Sequence, residues 1–295
     1  MKMRSPITLL VLIFSLTAGE SAGQTVADSL PIKGTHLDVD VYGNMIVLDT
    51  ERNMLRLYSK DRILIREIGG SGWENDQFDR PAWVWARNGI DIFVADYGNH
   101  RIQRFDRKLN FISTLSTRES SSPDERFGYP TGVTLSRLGD LYICDGENSR
   151  ILKVDRFTQV ERVFGGFDAG KGRLQHPSTL QMGPKDYVYV LDGKRIVVFD
   201  SFGNYAHDFA PGLFAAPSCF FADGAGIVVL DEGTIYCSDQ DERPVGAVPV
   251  ASIIERPVTI RSMAVNAKTL YLLTESGLVI LPEPCSLRSE KALDK

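Results

Sequence analysis

Three kinds of side chain in this 295-residue sequence could do chemistry: four histidines, four cysteines and a recurring aspartate. His36, His100, His176 and His207 are the candidate metal ligands, and a catalytic zinc site draws three protein ligands from such a set. Cys144, Cys219, Cys237 and Cys285 contain no C-x-x-C pair, so spacing offers neither a redox dithiol nor a zinc knuckle. Ser/His/Asp and Cys/His arrangements cannot be placed by spacing. Asp96, Asp145 and Asp192 invite a general acid–base reading, but each closes an apolar run and opens a polar turn, and each is followed by an arginine, Arg101, Arg150 or Arg195. A carboxylate in that place accepts backbone N–H groups, sets the turn and pairs with the arginine, so the recurrence reads as structure. Gly98 and Asn99 are expected to supply the positive-φ positions of that turn.

The elements that must position these groups form a repeat. Val94-Ala95-Asp96-Tyr97-Gly98-Asn99-His100-Arg101-Ile102, Ile143-Cys144-Asp145-Gly146-Glu147-Asn148-Ser149-Arg150-Ile151 and Val190-Leu191-Asp192-Gly193-Lys194-Arg195-Ile196 superimpose. Val47-Leu48-Asp49, Val229-Leu230-Asp231 and Leu272-Leu273-Thr274 are weaker copies, and the steps from Asp49 to Thr274 are 47, 49, 47, 39 and 43 residues. Pro81, Pro130 and Pro177 each lie 15 residues before the aspartate of their unit, and Pro217 lies 14 before Asp231. In the third unit, residues 131–136, 140–144, 150–155 and 159–164 read as four short strands separated by turn residues. Six units of four strands predict an all-β chain, a six-bladed β-propeller of antiparallel blades. The last unit lacks a fourth strand of its own, so residues 26–32 are expected to supply its outer strand and close the ring, with Pro31 tolerable at that edge.

The lead-in Gly69-Gly70-Ser71-Gly72 through Phe78 to Pro81, followed by the Asp96 motif, resembles the NHL repeat, and Gly165-Gly166 and Gly170 through Leu174 to Pro177 repeat it. The resemblance covers roughly residues 34–285, strongest in units two to four. It implies a six-bladed propeller used mostly as an interaction platform. Animal members carry RING or B-box modules and bind RNA; nothing before Gly34 could form such a module. Peptidyl-hydroxyglycine lyases resemble NHL propellers and hold zinc with several histidines around the channel.

Strand one of each blade lines the channel. Counted from the proline or its equivalent, Gly34 in unit one and Thr259 in unit six, the third and fifth positions are apolar in eleven cases of twelve and pack between blades. The second and fourth positions then face the channel, among them His36, Asp38, Trp83, Trp85, Thr179, Gln181 and Arg261. His36 alone of the histidines has this register, so a three-histidine zinc site cannot be assembled. A channel calcium held by backbone carbonyls needs few specific side chains and stays open. No acidic cluster accompanies Asp38, which speaks against a sugar-lactone hydrolase. Arg261 is placed to reach Asp38 or His36 across the seam between units six and one, and Trp83 and Trp85 read as an aromatic wall or channel filling. The loops of one face carry Trp73, Tyr97, His100, Arg126, Tyr129 and His176, and the long loop of residues 116–129 exceeds what a blade needs.

Met1-Lys2-Met3-Arg4 followed by the apolar run of residues 7–16 reads as a signal peptide cut before Gln24, too short to span a membrane. The expected organisation is a signal peptide over 1–23, one propeller over 24–287 and a polar tail over 288–295, in a periplasmic or extracellular protein of bacterial type. An exported chain could pair its cysteines in three ways, although Cys144, inside Leu141-Tyr142-Ile143-Cys144, reads as free and buried. A composition of 43% apolar and 24% charged residues excludes disorder, and a net charge of −5 speaks against nucleic acid as a partner. The function expected is non-catalytic recognition of a protein, peptide or glycan partner in the cell envelope, with a metal-assisted lyase or hydrolase at the channel mouth as the alternative.

Overall fold

The computed structural model describes residues 30–254 and 256–282. They form six antiparallel sheets, five of four strands and one of three, each a meander of neighbouring strands. The blades cover residues 36–69, 83–115, 130–164, 177–209, 217–249 and 260–282. The third unit has strands Pro130–Leu135, Leu141–Asp145, Arg150–Asp155 and Gln159–Phe164, within a residue of the predicted bounds.

Burial explains the pattern of each blade. The second strands of the first five blades, such as Val188–Asp192, are buried at every position because a neighbouring blade covers each face, so they read as unbroken apolar runs. The outermost strands, such as Gln159–Phe164, are mostly exposed or half-buried. Apolar side chains of adjacent blades merge into shared cores: Leu48, Leu55 and Leu57 of the first blade pack with Val84 and Phe105 of the second and with Phe78 in the loop that leads into it.

The recurring aspartates tie each blade to the loop that leads into it. Asp96 accepts the Asp79 N–H at 2.8 Å, Asn99 Nδ2 at 2.9 Å and Arg101 Nε at 2.8 Å. Asp145 takes the Gly128 N–H and Arg150, and Asp192 takes the Gln175 and His176 N–H groups and Arg195. Burial raises the Asp96 carboxyl above its ordinary value, although these donors oppose it. A second aspartate set, Asp40, Asp106, Asp200 and Asp239, closes turns on the opposite face; Asp106 Oδ1 accepts the Lys108 and Asn110 N–H groups. The expectation for Gly98 and Asn99 is corrected. Neither has a positive φ; His100 (φ 52°) and Ser149 (φ 50°) take that conformation. Gly98 is needed for another reason: a Cβ there would overlap the carboxylate and carbonyl of Asp79.

The seam between the last and first blades is tied by side chains. Ser262 Oγ accepts the Leu37 N–H at 3.2 Å, and Asn266 Nδ2 donates to the Asp40 carbonyl at 3.0 Å. Leu30 exchanges both backbone hydrogen bonds with Leu278 in the third strand of the last blade, and Ile32 is buried in the same core. The rest of the expected closing strand, residues 26–29, the signal segment and the polar tail lie outside the described residues.

Candidate functional site

The channel is layered, and a β-bulge creates its uppermost layer. Pro130, Pro177, Pro217 and Ile260 pair with the marker residues Asp145, Asp192, Asp231 and Thr274. The next paired residues are Gly132, Thr179, Cys219 and Ser262, so Thr131, Ser178, Ser218 and Arg261 are skipped. A skipped residue is re-aimed away from the ladder. These four, with Thr35 and Ala82 at the corresponding places of blades one and two, ring a cavity of about 340 Å³ at the channel mouth. The layer below lines the same cavity with His36, Trp83, Thr179, Cys219 and Ser262.

This register corrects the sixth unit. Its reference residue is Ile260 rather than Thr259, so Ser262 takes the channel position and Arg261 moves up into the bulge ring. Arg261 therefore reaches neither Asp38 nor His36. It donates to the Gly34 carbonyl at 3.4 Å and lies 3.7 Å from Glu51 at the rim.

The lower channel is filled by Arg87, a residue the sequence reading missed. Its guanidinium donates to Asp38 Oδ1 at 3.2 Å, the Ala222 carbonyl at 2.7 Å and Gln181 Oε1 at 2.6 Å, joining blade two to blades one, four and five. It also lies 4.2 Å from the centre of the Phe221 ring. Gln181 Nε2 donates to the Phe220 carbonyl at 2.6 Å. Two carbonyls of the fifth blade, Phe220 and Ala222, are thus engaged by an amide and a cation. Burial raises the Asp38 carboxyl, and the Arg87 charge opposes the rise. Trp85, expected in the channel, packs instead in the core between blades two and three, with ring centres 5.9 Å from Phe93.

One arrangement in the mouth looks catalytic in outline. His36 Nδ1 lies 3.1 Å from Ser262 Oγ, and the imidazole stacks on Trp83 with ring centres 3.6 Å apart. Burial, helped by the Arg87 charge, lowers the His36 pKa to about 3. Such an imidazole is neutral at pH 7 and a weak general base, since an efficient base titrates near the working pH. Asp38, which would have to orient it, belongs to Arg87. Cys219 is free, and burial pushes its thiol up to about 12, far from a reactive thiolate. Among the described residues no group of three or more His, Cys, Asp or Glu side chains could hold a metal ion.

The loops of the upper face bring together three of the six predicted binding residues. Tyr97 and Tyr129 lie with ring centres 5.0 Å apart, and the His100 ring is 4.2 Å from Tyr129. Arg80 sits 5.5 Å over Tyr97, and Arg118 reaches His100 Nδ1 at 3.0 Å and Glu147 at 2.9 Å. Burial and the Arg118 charge lower the His100 pKa. Trp73, 63% exposed, flanks this group over Arg101. Arg126 donates to the Ser120 carbonyl within its own loop, and exposed His176 lies in the following blade, where its N–H is held by Asp192. Arg80 was missed, being one arginine among many that only folding sets beside Tyr97, whereas Arg118 falls on the face where the sequence placed it.

Comparison with known proteins agrees with this architecture. The NHL repeat family model matches residues 127–154, from the approach to blade three to its third strand. The chain is a six-bladed propeller with an NHL repeat in its third blade. It is 31% identical over 147 residues to Protein brain tumor of Drosophila melanogaster, a match covering 48% of this chain and 14% of that protein. Over 105 residues it is 31% identical to a probable peptidyl-alpha-hydroxyglycine alpha-amidating lyase of Caenorhabditis elegans, covering 34% of this chain and 28% of that protein. With the human NHL repeat-containing protein 3 the identity is 24%, over 52% of this chain and 47% of the relative. The chain thus spans less than half of each of these relatives. Among solved structures, virginiamycin B lyase from Staphylococcus aureus superposes with a TM-score of 0.58 at 15% identity, covering 83% of this chain and 78% of that one. A Xanthomonas campestris gluconolactonase superposes with a TM-score of 0.61 at 15% identity, covering 86% and 88%. At such identity the NHL propeller shares the fold with these enzymes, and the likeness carries no further.

Proposed function

We propose that this NHL propeller is an exported, non-catalytic binding protein that recognises a protein, peptide or glycan of the cell envelope on its upper face. The observation that carries the reading is the cluster of Tyr97, His100 and Tyr129 flanked by Arg80 and Arg118. Aromatic and arginine side chains supply most of the binding energy of known interfaces, about 2 kcal/mol or more for the best. Their loops vary from blade to blade, while the recurring aspartates are accounted for by the fold. The disulfide at Cys237 supports export, because such bonds persist in oxidising compartments. Among the described residues no helix is long and apolar enough to cross a membrane.

Substituting Tyr97, Arg118 and Tyr129 together by Ala is expected to abolish partner capture from an envelope extract with little change in melting temperature. Retained capture by the triple variant would refute the reading. Intact mass of the exported protein should correspond to a chain beginning at Gln24. The alternative, a lyase or hydrolase at the channel mouth, is favoured by the Ser262–His36 contact alone. A tightly held zinc, or a lyase activity lost in His36→Ala, would establish that alternative instead.

A further inference from the structure

The channel mouth contains a group that the fold leaves unused. Thr179 Oγ1 is buried and has no hydrogen-bond partner among the described residues, and Thr179 is one of the residues that line the cavity. A buried hydroxyl without a partner is costly, and native structures rarely keep one where a ligand or water does not serve it. Around it the bulge ring supplies a defined set of complements. The hydroxyls of Thr131, Ser178 and Ser218 donate to the carbonyls of Pro177, Leu191 and Leu230 at 3.3–3.4 Å, so their remaining lone pairs can accept. Trp83 offers a flat apolar surface. Among the described residues Arg261 is the one charged side chain lining the cavity, and its one ion pair is the long contact to exposed Glu51. His36 is held neutral beside Trp83 and Ser262, and the Arg87 network below keeps Asp38 and Gln181 occupied, so neither carboxylate nor amide of that layer competes for a ligand.

We infer that the channel mouth is a binding site for a carboxylated sugar ring of the uronic acid class, with Arg261 on the carboxylate, the hydroxyl ring and Thr179 on the sugar hydroxyls, and Trp83 against an apolar face of the ring. Sugar hydroxyls donate and accept at once, which matches the lone pairs of the bulge ring and the free valence of Thr179. A cavity of about 340 Å³ admits one such ring with its ordered water. The inference rests on the proposed reading of the chain as a binding propeller and names one ligand class for its upper face. The site is distinct from the Tyr129 cluster, although Tyr97 borders both.

The test is isothermal titration of the intact mature protein with D-glucuronate, D-glucose and N-acetyl-glycylglycine, with the recovered ligand read by NMR. Saturable binding of glucuronate, about tenfold tighter than glucose, is expected. Arg261→Gln should remove that preference. Thr179→Val should weaken glucuronate about tenfold while melting at the same or a higher temperature, because it deletes an unpaired buried hydroxyl. A merely structural Thr179 would move stability and leave affinity alone. Leu138→Ala, in the exposed turn between the first two strands of the third blade, should bind glucuronate as the parent does. Silence towards glucuronate, preference for the dipeptide, or unchanged affinity in both Arg261→Gln and Thr179→Val would overturn the assignment. Recovery of chemically altered glucuronate would leave the site assignment standing and overturn the non-catalytic reading, so the two failures are told apart.

Discussion

At the scale of single residues, the same aspartate position carries different loads in different blades. Asp96 is fully buried and neutralises Arg101, itself buried, whereas Asp231 accepts only the Ala215 and Ala216 N–H groups. Removing one member of a buried ion pair costs about 3–5 kcal/mol, against about 1–3 kcal/mol for an unsatisfied amide. Asp96→Ala should therefore destabilise the protein by about 2 kcal/mol more than Asp231→Ala in denaturant unfolding; equal losses would contradict the assignment. His36 gives a pH dependence. The unfolded imidazole titrates near 6.5 and the folded one at about 3, so the unfolded chain takes up the proton first. The contribution is fully present above pH 6.5 and is lost as the pH falls towards 3, by up to about 5 kcal/mol. His36→Phe, which keeps a ring against Trp83, should lose less stability across that window than the parent. Matching acid limbs would exclude burial of a neutral His36.

At the scale of elements, the joint between the last and first blades is where truncation should act. A chain truncated before Gly34 loses the Leu30–Leu278 bridge and the buried Ile32, leaving the third strand of the last blade as an open edge. Its melting temperature should fall by several degrees; an unchanged value would contradict a role for this segment in closure. Strands and blade count were legible because second strands buried on both faces are unbroken apolar runs and because the aspartate and proline markers recur at fixed offsets. The register of the last blade was not, since neither marker survives there: Thr274 replaces the aspartate and Ile260 the proline, and counting from Thr259 put Arg261 one residue too deep. The channel plug was illegible for a similar reason. Arg87 lies beyond the end of the short strand Trp83–Trp85, and its partners Asp38, Gln181 and Ala222 are contributed by three other blades.

At the scale of the whole molecule, the ring separates two ends of different character. The lower channel is bridged by the Arg87 network, and the turns around it present exposed apolar residues such as Leu138. The upper end holds the open cavity and the Tyr97–His100–Tyr129 cluster. On the proposed reading, the partner is engaged from above. The measurement that tests this most directly is photo-cross-linking in the producing cell, with a benzophenone side chain placed at Tyr129 on the upper face or at Leu138 on the lower one. The account predicts a discrete protein or glycan adduct from position 129 and none from position 138. Adducts from position 138 alone, or the same adducts from both, would contradict it.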